Sequence, residues 1–376
     1  MRVTNSMLVN NLMRNLNNNF NKVDKLQNMM ASGRKFAHIS DDPIALIYSQ
    51  SSRNKLARLE HYQTTVNSAK NWLDQAENGL MELEKIMADA YEACVDATHD
   101  GKTDGDKQNI GQVIGQLREH FVDTLNAAFG DKYVYAAYNT PGDSSKTLKS
   151  NEIKPFTVED GILYFNGFDL SKFDGMSAEL LNVDLSGLSY DDAVDKINGL
   201  GADMGALTTD DVYMLHRLKN DVLTFDVGPG ISMPVTMNGI DLVLFTNTNE
   251  KGETVVRNAY SVLTDLYIGA NGDASAILPT PPLPASELTT IIKPLQDAQN
   301  HILTRTAEVG GRTKRLELLE SRYEQDSINY ERMKSDAEDA DMADVIMRLR
   351  IAESVMQSAM SAGARVIQPS LMDFLR

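Results

Sequence analysis

Between residues 59 and 97 an apolar side chain recurs every three or four positions without a break: Leu59, Tyr62, Val66, Ala69, Leu73, Ala76, Leu80, Leu83, Met87, Ala90, Cys94 and Ala97. Alternating steps of three and four place all of them on one side of an α-helix. A stripe that long is costly to leave in water, and a single helix has nothing to bury it against, so the chain must supply other helices. The start signal lies upstream at Ser40, Asp41, Asp42 and Pro43. The Asp42 carboxylate suits the N-cap, where it accepts from free N–H groups, and Pro43 suits the first helical position, where its missing N–H costs nothing. Asp100-Gly101 reads as the stop.

The same spacing recurs at both ends of the chain. Val9, Leu12, Leu16, Asn19, Val23, Leu26 and Met30 form a heptad stripe with one polar position, ended by Ser32-Gly33, and residues 34–40 read as a connecting loop. A third helix is expected over about 104–129, carrying Ile110, Ile114, Leu117, Phe121, Leu125 and Ala128 and ended by Gly130. Near the other end, Leu288, Ile292, Leu295, Ile302, Val309 and Leu316 form one stripe. Met342, Val345, Leu349, Ala352, Met356, Ala359, Gly363 and Val366 form another, which Pro369 breaks.

The middle has a different period. Residues 132–138, 162–170 and 233–245 have strand composition, with turns expected at Asn166-Gly167 and Asn238-Gly239. Short helices are expected at Tyr190–Leu200 and Asp210–Lys219, and an amphipathic stretch at Asn258–Ile268. Pro279, Pro281, Pro282 and Pro284 then make a stiff connector. The expectation is an α+β chain: a long coiled-coil-type helical bundle from both chain ends, with an inserted β-rich middle domain. Residues 1–40 and 340–376 are the terminal helices, 41–130 and 286–339 the helical core, and 131–285 the middle. That middle has a net charge of −12, within −17 for the whole chain, and is expected to face outward into solvent. Residues 1–60 carry +5, but no basic stripe with interleaved aromatics occurs, which argues against nucleic acid as a partner.

Candidate chemistry is sparse. The six histidines show no HExxH spacing and read as packing or solvated side chains. Asp96, Asp100, Asp104 and Asp106 fit a calcium loop poorly, because Lys107 stands where a bidentate Glu is needed; a plain loop with Thr103 or Asp104 as N-cap reads better. Gly199, Gly201 and Gly205 are a broken glycine fingerprint after a helix rather than a strand. Cys94 is the lone cysteine, so no intrachain disulfide forms, and its place on the apolar stripe makes it a small buried hydrophobe. No catalytic, cofactor or metal residue is proposed, and the chain is read as non-enzymatic. The first residues lack the apolar run and cleavage site of a signal peptide, and no run of 18 apolar residues suggests membrane insertion.

The stripe of residues 59–97 and that of 286–335 can satisfy each other within one chain. The stripes of 1–30 and 342–375 have no evident partner left, so they read as an assembly interface: Val9, Leu12, Leu16, Val23, Leu26, Met30, Leu349, Met356, Val366, Ile367, Leu371, Phe374 and Leu375.

The opening MRVTNSML, the loop SGRKFAHISDDPIAL, the segments NWLDQAENGL, KYVYAAYNT and AEVGGRTKRLE, and the ending LMDFLR occur in order along the chain. Together they resemble the hook-associated protein 3 family of flagellin-like proteins over about the first 140 and last 90 residues. The resemblance implies a secreted subunit at the hook–filament junction of the bacterial flagellum, forming a homo-oligomeric ring. It implies hook-associated protein 1 and flagellin as neighbours, with export unfolded through the type III export apparatus after binding an export chaperone. Filament flagellin itself stays open as the alternative; Pro43 after Asp41-Asp42 matches the junction form, whereas Arg376 is reminiscent of flagellin.

Overall fold

A computed structural model describes residues 5–36, 38–99, 102–130, 132–136, 154–185, 187–201, 207–220, 222–248, 252–271 and 288–366. The chain divides into two units, residues 1–61 with 321–376 and residues 62–320. Two helices contribute to both: α2 (Pro43–Ala97) and α9 (Leu288–Glu338). The expected α+β class holds, with long helices from the two ends and small antiparallel strands between them.

In the second unit, residues 62–97 of α2 run antiparallel to residues 288–320 of α9. Lys70 Nζ lies 3.2 Å from Glu320, and Cys94 Sγ lies 3.6 Å from the Leu288 carbonyl at the other end. Every stripe position from Val66 to Ala97 is buried, and most have no exposure at all. At about 1.5–3 kcal/mol for each fully buried large apolar side chain, this seam outweighs any single polar contact in the unit. Burial pushes the Cys94 thiol up to about 11, as befits a hydrophobe rather than a nucleophile. On α9 the inward position is Ile291 rather than the expected Ile292, which is only half-buried.

Helix α3 (Asp104–Leu125) opens with a capping box: Thr103 accepts from Asp106 N, and the Asp106 carboxylate accepts from Thr103 N. Of the two N-cap candidates, Thr103 takes the role. The helix ends at Asn126, before the expected Gly130, because the Asn126 side chain reaches the strand region. Its amide donates to Phe156 O at 2.9 Å and accepts from Phe156 N at 3.0 Å, as a neighbouring strand would. Gly111 and Gly115, one helical turn apart on α3, let α8 (Ala259–Asn271) approach; a Cβ at either would meet Asn271 or Tyr267.

The strands are short. β1 (Ala128–Phe129) and β2 (Lys132–Tyr133) form a minimal hairpin around Gly130, so of the strand expected at 132–138 only Lys132–Tyr133 forms among the described residues 132–136, and Val134 and Tyr135 turn inward. β3 (Phe156–Glu159), β4 (Ile162–Phe165) and β5 (Phe168–Asp169) form one antiparallel sheet. Its turns, Asp160-Gly161 and Asn166-Gly167, both have two positive φ angles, the requirement of a tight two-residue hairpin. The small helices α4 (Ala178–Asn182), α5 (Tyr190–Gly199) and α6 (Thr209–Lys219) follow. Hairpins β6–β7 (Thr224–Gly228, Ile231–Pro234) and β8–β9 (Leu244–Thr248, Thr254–Asn258) flank the one-turn helix α7 (Ile240–Val243).

Asn238-Gly239, expected as a hairpin turn, instead starts α7. Asn238 Oδ1 accepts from Ile240 N at 3.0 Å, and Gly239 N donates to Tyr135 O at 2.9 Å. Gly239 has an ordinary φ of −63°. Glycine is needed there for space: a Cβ would strike the Phe156 ring and lie 2.9 Å from the Tyr135 carbonyl. Gly239→Ala is therefore expected to destabilise the second unit by about 1–3 kcal/mol, as overpacking does. Urea denaturation, with the unfolding slope unchanged, checks this.

Arg257 on β9 holds two carboxylates, Asp174 at 3.0 Å and Asp265 of α8 at 2.9 Å. Burial is the main cause that raises both; Arg257 opposes it, and Asp265 ends pushed up to about 6. An acid whose folded value lies above its unfolded value near 3.9 makes the fold more stable as pH falls from about 6 to about 4. Asp265→Asn should weaken that dependence, leaving the part due to Asp174, and equal or exceed the wild type at pH 7.5, by up to roughly 1–2 kcal/mol. Thermal melting at pH 5 and pH 7.5 reads the difference.

Candidate assembly interface

The first unit is built around α1 (Asn5–Ser32) and α10 (Met342–Val366), which lie side by side. Their stripes meet. A Cβ on Gly363 would come within 3.0 Å of Leu12 Cδ2, so glycine sets how closely the two helices approach. Val23 and Leu349 are buried, whereas Val9, Leu12, Leu16, Asn19, Leu26 and Met356 are half-buried and Met30 is exposed. The terminal stripes therefore partner each other within the chain, against the expectation that they lack an internal partner. Val366 ends α10; Ile367, Leu371, Phe374 and Leu375 lie outside the described residues.

The pairing uses one face of α10, and a second apolar row stands on the other. Met347, Ile351 and Val355 follow at steps of four and are each about half exposed, the first two at 57%. Ile346 and Met360 are also exposed. Among the described residues, 16 of the 26 exposed large apolar side chains belong to the first unit, although it is the smaller one. Such a concentration makes this unit the candidate interaction surface.

The loop between α1 and α2 is tied down. Asp42 caps α2 through Oδ1, which accepts from Ala45 N at 3.0 Å, with Pro43 at the first helical position as expected. Asp41 accepts from His38 N at 3.2 Å and pairs with Lys25 at 2.8 Å; Ser40 is exposed. Ile39, Ile44, Ile47 and Tyr48 around it are exposed, and an open groove of about 610 Å³ runs between Ile44, Tyr48 and Met333.

The sequence reading missed the polar lock beneath this loop. Glu338, the last residue of α9, is buried. Its carboxylate accepts from Ser49 Oγ at 2.8 Å, pairs with Arg34 at 2.6 Å and is gripped by Arg53, whose Nε donates at 3.2 Å. The backbone joins in: Lys35 N donates to Glu338 O at 2.7 Å and Ala340 N to Gly33 O at 2.8 Å. Burial alone would raise this carboxyl, but Arg53, Ser49 and Arg34 outweigh it and hold the group below the usual range. The signal available in the sequence was an acid closing a 51-residue helix, where a dipole favours cations.

The buried His216 and the half-buried His301 behave as packing groups. His216 and His301 each bond a backbone carbonyl, of Leu180 and Asp241, and burial lowers both. Among the described residues no cluster of potential metal ligands occurs and no helix is long and apolar enough to cross a membrane.

Known proteins agree with this architecture. The bacterial flagellin N-terminal helical region matches residues 3–140. Flagellar hook-associated protein 3 of Escherichia coli K12 is 25% identical over 162 residues, covering 43% of this chain and 48% of that protein. A flagellin of Clostridium tyrobutyricum is 24% identical over 119 residues, covering 32% of each. The chain thus spans a third to a half of the length of these curated relatives. A solved structure from Vibrio parahaemolyticus, assigned as a flagellar hook-associated protein, shares the fold. Its TM-score is 0.53 at 14% identity, over 80% of this chain and all of that one. The N-terminal region is thus similar to that of flagellins, and the fold is flagellin-like. Within that likeness, the match to flagellar hook-associated protein 3 agrees with the resemblance that the N-terminal motifs carried.

Glu338→Gln is expected to cost roughly 1–3 kcal/mol at pH 7, because Arg53 and Arg34 lose their counter-charge. A depressed carboxyl contributes its stability above its unfolded value near 4.3 and loses it as pH falls through the lower folded value. The gap between variant and wild type should therefore close below about pH 4, which denaturant melts at pH 7 and pH 3.5 would check.

Proposed function

We propose that this chain is a secreted structural subunit of the bacterial flagellum that joins hook-associated protein 1 at the hook end to the flagellin filament. In this reading the subunits form a homo-oligomeric ring at the hook–filament junction. The observation that carries it is the second apolar row of α10, Met347, Ile351 and Val355, left outward after α1 has covered the first. A helix apolar on two opposite faces needs two neighbours, and among the described residues one chain supplies only one. The seam of Leu12, Leu16, Leu26 and Met356, with Val9, Val23, Met30 and Leu349, holds α1 against α10 and so presents that row, and in this reading Val366, Ile367, Leu371, Phe374 and Leu375 extend the interface. Ser40, Asp41, Asp42 and Pro43 fix the loop beside it. Residues 131–285 face outward, in keeping with their net charge of −12. The chain reaches the flagellum through the type III export apparatus after release from an export chaperone. It does no chemistry there and uses neither cofactor nor metal.

Filament flagellin is the second reading, favoured by the flagellin match over 119 residues. Immunogold labelling separates the two: a single band at the hook end fits the junction subunit, and label along the whole filament overturns it. The interface itself is tested by Met347→Asp with Ile351→Asp. Both side chains are exposed, so the folded unit should keep its stability within about 0.5 kcal/mol per site. Cells carrying the pair should release flagellin unpolymerised into the medium. Normal filaments on those cells would show that this face of α10 is not an assembly surface.

A further inference from the structure

The chain has 18 methionines, and 11 fall in residues 1–61 and 321–376. The two units treat them differently. In the second unit Met87, Met176, Met233 and Met237 are buried, and only Met81 and Met214 are exposed among its described methionines. In the first unit Met7, Met13, Met30, Met333, Met342, Met347 and Met360 are all exposed. Several sit where the apolar surface is densest. Met347 opens the outward row of α10, Met333 lines the open groove beside Ile44 and Tyr48, and Met13 and Met360 line a recess of about 140 Å³ with Leu12, Leu16 and Ala359.

A thioether is apolar but easily oxidised. Peroxide turns it into a sulfoxide, which is polar and chiral and disrupts methionine-rich contacts. From this distribution we propose that Met13, Met333, Met347 and Met360 form an oxidation site, through which peroxide bars the unassembled subunit from incorporation. In the reaction the sulfur lone pair attacks one peroxide oxygen and the O–O bond breaks. An S–O bond forms, and the departing hydroxide takes up the remaining proton and leaves as water. Sulfur loses two electrons and the peroxide gains them. A methionine sulfoxide reductase reverses the change. The buried methionines of the second unit are shielded, so the fold survives while the surface changes from apolar to polar. The inference rests on the proposed function, because it takes this surface to be the assembly face.

The test uses the purified full-length chain and hydrogen peroxide. Peptide mass spectrometry should show Met13, Met333, Met347 and Met360 oxidised at least about tenfold faster than Met87, Met176 and Met233, following their exposure. Circular dichroism should be unchanged. Labelled chain is then added to isolated hooks that end in hook-associated protein 1. Oxidised wild type should incorporate at least about tenfold less than untreated chain, and reductase treatment should restore it. The combined variant Met13→Leu, Met333→Leu, Met347→Leu and Met360→Leu should incorporate normally after peroxide, although Met81 and Met214 still oxidise. Oxidised wild type that incorporates as well as untreated chain would overturn the inference, as would a leucine variant that peroxide blocks equally. Untreated wild type that fails to incorporate would instead overturn the junction reading, while the oxidation pattern would still be decided by mass spectrometry.

Discussion

Everything in the second unit depends on the apolar stripe of α2 finding cover. A 55-residue helix has many backbone hydrogen bonds but little stability of its own in water, so tertiary packing must hold it. In this unit α9 supplies the cover on one side. On another, Tyr135 enters over Gly79, where a Cβ would collide with its hydroxyl, and donates to Ala76 O at 2.7 Å. Tyr135 is fully buried, and its carbonyl in turn accepts from Gly239 N. One side chain thus fastens the β-containing region to the helix. The two sequence motifs that carry Gly79 and Tyr135, NWLDQAENGL and KYVYAAYNT, are the two halves of one contact.

How much of this could be read in advance follows from what periodicity encodes. A three-four stripe reports the helix and its buried face directly, which is why α2 and the capped start at Asp42-Pro43 were legible. Two Asn-Gly pairs show the limit. At Asn166-Gly167 local conformation decides, and both residues adopt positive φ in a hairpin. At Asn238-Gly239 the crowding of Phe156 and Tyr135 decides, and those residues are distant in sequence. The shortness of β2 has the same origin, because burial of Tyr135 wins over strand propensity.

The candidate interface was half legible. Both terminal stripes were visible, but a stripe names a covered face without naming what covers it. Leu349 and Leu12 read as surfaces for another subunit, and the fold spends them on pairing α10 with α1. The residues left outward, Met347, Ile351 and Val355, form a shorter row that a search for the dominant period passes over. Glu338 was missed for a different reason. An acid at a helix C-terminus was a local hint, but its partners Arg34, Ser49 and Arg53 lie about 300 residues away, and nothing local names them.

That lock has a mechanical side. The Arg34–Asp339 bridge, the Lys35–Glu338 and Ala340–Gly33 backbone bonds and the Glu338 ion pairs all lie within a few residues of where α1 and α10 begin to run together. A pull along either terminal helix reaches the start of α2 and the end of α9 through this one clasp. Short parallel hydrogen bonds loaded together resist better than bonds loaded singly, and the buried carboxylate adds a charged anchor behind them. Tension on one chain end therefore reaches the other through the same few bonds.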